Sequence, residues 1–108
     1  MTEKAKKLQD AIVAQVHAPQ SGIGPKAARI GVTGVLTKFM DIIKNLGSTI
    51  DLSGMTKEEF LVAVDAAFAT AIAPLLATAG PLIVMGAKML VHAMASRFYD
   101  RHSKPKPA

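Results

Sequence analysis

The side chains able to do chemistry are few and scattered. The 108-residue chain carries three histidines, eight acids and no cysteine. Without cysteine there are no disulfides, thiolate zinc sites or cysteine nucleophiles. His17, His92 and His102 form no H-E-x-x-H motif and no cluster with carboxylates, so no metal site is expected. His92 and Ser96 stand four residues apart, on one face of a helix. A serine nucleophile beside a histidine base also needs an orienting third group and an oxyanion site. Neither is visible, and Lys88, His92 and Ser96 read instead as the polar edge of a helix. The stretch "GIGPKA" at 22–27 superficially resembles a phosphate loop that opens a helix. No strand precedes it, Lys26 is not at the P-loop spacing and Pro25 removes an N–H, so a hinge is expected. Glu58 and Glu59 belong to a helix start. Asp65 interrupts an apolar segment and is expected to pair with Arg97 across a helical hairpin. The chain is expected to be no enzyme and to need no cofactor.

Charge gives the second clue. The net charge is +5, and it is uneven. Residues 1–29 hold five basic and two acidic side chains, and residues 88–108 hold five and one. The middle of the chain is slightly acidic. Basic ends suit an anionic partner such as acidic lipid or nucleic acid. The side chains expected to meet such a surface are Lys4, Lys6, Lys7, Lys26 and Arg29 at one end. Arg97, Arg101, Lys104 and Lys106 do so at the other. In "SRFYDRH", at 96–102, Phe98 and Tyr99 either anchor at a bilayer surface, stack on bases or close a helical core. No helix-turn-helix, zinc-finger or RNA-binding signature is present, so sequence-specific nucleic-acid reading is not expected.

Four helices must position these groups. Half the residues are hydrophobic and only 5% aromatic. The β-branched residues do not alternate with polar ones, so helices and no sheet are expected. Ala5, Leu8, Ile12 and Val16 form one face of a first helix over about 3–17, stopped by Pro19. Val32, Val35, Phe39, Ile42 and Leu46 stripe a second over about 25–46, with Gly47 as its expected C-terminal cap. "TKEE" at 56–59 is a capping box opening a third helix to about Thr78, with a kink expected at Pro74. Gly80 and Pro81 turn the chain into a fourth, over about 81–101. The tail "SKPKPA" is expected to be extended.

The 22 residues Ala66 to Ala87 carry no charge. Their length suits a membrane span. A hairpin turning at Gly80 would put both basic ends on one side, as the positive-inside rule prefers. Lys88 would then lie near mid-membrane without a partner, at a cost of roughly 2.5–3.5 kcal/mol. In water, a helix apolar on most sides is buried in a bundle or a subunit interface.

The expected architecture is all-α: a small bundle of about four helices built on a C-terminal antiparallel hairpin. Residues 1–19 form an appended basic arm, 20–102 the helical domain and 103–108 a disordered basic tail. Phe60, Val64, Phe68, Ile72, Leu75, Leu82, Met85 and Met89 are the expected packing and oligomer residues. The expected function is a structural or assembly subunit of a virion or membrane-associated complex. Its partners are its own copies or other subunits, with anionic lipid or nucleic acid at the basic ends. The alternative is a pore-forming or holin-like membrane protein with 66–87 inserted. A third reading is a nonspecific nucleic-acid binder. No signal peptide is expected, because "AIVAQV" after the basic start is too short. The cytoplasmic side is the expected location.

Overall fold

The computed structural model describes residues 2–18, 21, 23, 27–49 and 54–103. Lys26, Lys104 and Lys106 lie outside them, as do most of the loop at 19–26, the side chain of Arg29 and the tail. Among the described residues the chain is all-α. Helix α1 spans Glu3–His17, α2 Ala27–Thr49, α3 Lys57–Ala67, the single turn α4 Ala73–Leu76, and α5 Pro81–Ser103.

Local chemistry sets the helix ends. Thr2 caps α1 by accepting from the Ala5 N–H. Thr56 and Glu59 close both halves of the capping box at α3, each bond 3.0 Å. Between α3 and α4 the helix widens to a π turn over Phe68–Ile72, with the Ala73 N–H reaching back to the Phe68 carbonyl. Pro74 accounts for this. It lacks an N–H, and its ring crowds the carbonyl four residues earlier, so the preceding turn opens. A tight 3₁₀ turn, Ala77–Ala79, then leads to Gly80, whose φ of 105° only glycine adopts easily.

Long-range contacts order the helices. Thr2 at the start of α1 meets Glu59 at the start of α3. Asp100 near the end of α5 meets Lys57 at 3.0 Å, and the Phe98 ring lies against Gly47 near the end of α2. One pole of the bundle therefore holds the starts of α1 and α3 and the ends of α2 and α5. The helices run up, down, up and down, and the molecule measures 47 × 27 × 26 Å.

The core is aliphatic and aromatic. Ile12, Phe39, Ile43, Phe60, Phe68 and Ile72 are fully buried. Phe39 and Phe68 meet edge to face at 6.0 Å, and Phe60 stacks on Phe98 at 6.2 Å. Two sequence expectations change. The first helix is not an appended arm: Ala5, Leu8, Ile12 and Val16 are all buried, and α1 packs along α3. Gly47 is not a cap, because α2 continues to Thr49. It is a contact residue, where a Cβ would collide with the Phe98 ring. Gly31, with φ of 72°, kinks the start of α2 and has open space where a Cβ would be. Its role is conformational.

Candidate functional site

The packing residues expected from sequence divide into two sets. Phe60, Val64, Phe68 and Ile72 are consumed by the protein's own core, and Leu75 is half-buried. Leu82, Met85 and Met89 point outward, at 81%, 60% and 68% exposure. They recur at three- and four-residue steps along α5, so they share one face. Ile83 and Leu90, which the sequence did not single out, are also exposed on this helix. Gly86 lies within the stripe, and nothing stands within 4 Å of where its Cβ would be. Beside the stripe runs a shallow recess lined by Ala73, Ala77, Pro81, Val84, Met85 and Lys88. Only Lys88 brings charge to it.

The expected Asp65–Arg97 pair is not formed. The Asp65 carboxylate faces His92 instead, at 3.0 Å from Nδ1. The cause is register. The contacts of Lys57 with Asp100, Phe60 with Phe98 and Asp65 with His92 centre the antiparallel pairing on Thr78–Ala79, ahead of Gly80. The 3₁₀ turn makes the bend before the glycine, which shifts each partner on α5 toward it. The Asp65–His92 contact is half open to solvent, and such pairs contribute at most about 1 kcal/mol. Among the described residues no hydrogen bond joins His92 to Ser96, and no three metal-binding side chains converge.

The basic residues gather. Because the helices alternate in direction, the exposed Lys4, Lys6 and Lys7 share a pole with Arg97 and Arg101. Lys4 donates to the Gly54 carbonyl. Arg97 and Arg101, four residues apart, line a groove between α2 and α5 with Lys44 and His102. Met40, Met94 and Phe98 form its apolar lining. The aromatic pair of "SRFYDRH" is turned inward. Phe98 is buried, and the Tyr99 hydroxyl donates to the Met55 carbonyl while its ring lies 5.6 Å from Phe60. Neither ring is presented as a platform for bases. At the same pole, Glu59 accepts from the Thr2 hydroxyl at 2.6 Å and from the Thr56 N–H. These bonds hold its carboxyl below the ordinary value of 4.5.

Among the described residues one helical stretch, Lys57–Ala79, is long and apolar enough to cross a membrane, its most apolar 18-residue window having a mean hydropathy of 2.0. No family model, curated protein or solved structure matches this chain.

Proposed function

We propose that this is a non-enzymatic assembly protein that associates with further copies of itself through the outward face of α5. The observation that carries the proposal is the exposure of Leu82, Met85 and Met89 on a folded bundle that already has a complete core. Contiguous apolar surface of this kind marks an interaction site. A second copy suits the surface because it offers a projection and a recess side by side. Leu82, Met85 and Met89 form the ridge, and Ala73, Ala77 and Val84 line the hollow next to it. A two-fold pairing uses the same patch on both copies and so requires that self-complementarity. Gly86 leaves room for close helix approach.

Membrane insertion is the competing function, and the apolar stretch Lys57–Ala79 favours it. Insertion of that stretch would separate Phe60, Val64, Phe68 and Ile72 from α1 and α2, whereas pairing of α5 faces leaves the core intact. Sedimentation equilibrium over a wide concentration range tests the proposal. The native chain is expected to form a defined oligomer without detergent. Leu82→Glu with Met89→Glu is expected to weaken association at least about a hundredfold, since each buried side chain contributes roughly 1.5–3 kcal/mol. A chain that stays in carbonate-washed membranes would favour insertion instead.

A further inference from the structure

We propose that the groove between the ends of α2 and α5 is a binding site for a phosphate group attached to an apolar remainder, and that it works whether or not the protein self-associates. Arg97 and Arg101 project from successive turns of α5, and Lys44 comes from α2. All three are exposed. The groove has a volume of about 540 Å³. Guanidinium groups suit phosphate because their planar fork donates two parallel hydrogen bonds.

The surroundings leave these cations for an external anion. Asp100 is the one acid in residues 88–108. It is held by Lys57 at 3.0 Å and so is drawn toward α3. No ion pair joins Lys44, Arg97 or Arg101 to a described carboxylate. The groove also rests on a close contact between α5 and α2. The Phe98 ring, which lines the groove, lies against Gly47 of α2, where a Cβ would collide with it. The His102 ring, also in the lining, lies 4.3 Å from that of Phe98.

The apolar lining selects among phosphate carriers. The half-buried Met94, with the largely buried Met40 and Phe98 behind it, gives the groove hydrocarbon and sulfur, which suit the first carbons of an acyl chain or a similar uncharged group. Bases of single-stranded nucleic acid need exposed aromatic faces, and both Phe98 and Tyr99 are turned inward. The phosphate can come from a lipid headgroup or from a soluble phosphate ester.

The test compares two variants that each remove two positive charges. Arg97→Gln with Arg101→Gln alters the groove, and Lys6→Gln with Lys7→Gln alters the exposed face of α1. Binding is measured to phosphatidylglycerol vesicles, to inorganic pyrophosphate and to a short DNA duplex. The groove variant is expected to lose at least about tenfold in affinity for vesicles or pyrophosphate. The α1 variant is expected to stay within about twofold. Arg97→Lys with Arg101→Lys keeps the charge but not the fork, and is expected to bind more weakly than the native chain. Binding to vesicles alone assigns the source as a lipid headgroup, and binding to pyrophosphate as well assigns a phosphate of either source. Equal losses in the two glutamine variants, no binding by the native chain, or preference for the duplex would overturn the proposal.

Discussion

Replacing the same residue at two places on the bundle should have opposite effects. Gly47 and Gly86 both sit inside helices, α2 and α5. Helix propensity alone says that alanine at either position stabilises by about 0.8–1.0 kcal/mol. At Gly86 nothing lies within 4 Å of the new methyl group, so that gain should appear in full. At Gly47 the methyl group meets the Phe98 ring at two of its atoms. The ring must retreat about 1 Å to reach an ordinary carbon–carbon separation. It cannot retreat freely, because Phe60 stacks on it and His102 lies 4.3 Å from it. Overpacking of this kind costs about 1–3 kcal/mol. Against the propensity gain, Gly47→Ala should destabilise by up to about 2 kcal/mol. For a domain near this size each kcal/mol moves Tm by roughly 4–8 °C. Thermal unfolding followed by circular dichroism, at a concentration low enough to keep the chain dissociated, checks both values. If Gly47→Ala raises Tm as Gly86→Ala does, Phe98 is not packed on α2 and the groove described above loses its base.

Two further perturbations probe other parts of the account. Ile12 is fully buried between α1 and its neighbours, so Ile12→Ala should cost about 2–5 kcal/mol in urea unfolding; an appended arm would lose almost nothing. The Glu59 carboxyl is held below its ordinary 4.5, chiefly by the Thr2 hydroxyl and then by the Thr56 N–H. A carboxyl lowered on folding contributes stability above its unfolded value, and that contribution fades as pH falls through the folded one. The urea midpoint of the native chain should therefore drop from about pH 4.5 downward by more than that of Glu59→Gln; parallel pH profiles would show that the bonds to Thr2 and Thr56 do not form in solution.

The parts of this structure legible in the sequence are those with local causes. The capping box needs only Thr56 to Glu59, and the bend needs only Gly80 and Pro81 beside a run of small residues. Pro74 announced a disturbed helix, and the π turn that accommodates it lies just before it. The stripe of Ala5, Leu8, Ile12 and Val16 was equally plain. That it belongs to the core depends on α3 lying parallel to it, which no window of α1 contains. The partner of Asp65 was missed for a similar reason. A bend centred one or two residues earlier exchanges Arg97 for His92. Gly47 carries the same lesson, since a glycine near a helix end looks like a cap until the ring of Phe98 is placed beside it. Within 66–87, sequence supplied the apolar character but not its division. The buried Phe68 and Ile72 and the exposed Leu82 and Met85 are alike in hydropathy, and only the positions of α1 and α2 separate them. The groove was half legible. Arg97 and Arg101 stood out as basic residues of the C-terminal end, while nothing local marked Lys44, on a different helix, as their partner.

Methionine reactivity tests the central claim, that a second copy covers the outward face of α5, in the unaltered chain. Met85 and Met89 are 60% and 68% exposed, while Met40 and Met55 are 4% and 6% exposed. Oxidation by dilute peroxide follows exposure and is read residue by residue by mass spectrometry. In dilute solution Met85 and Met89 should oxidise fast and Met40 and Met55 slowly. As concentration rises through the association range, Met85 and Met89 should become protected together while the buried pair stays unchanged. An oligomer in which Met85 and Met89 remain as reactive as in the monomer would contradict the account, and so would a chain that stays monomeric throughout.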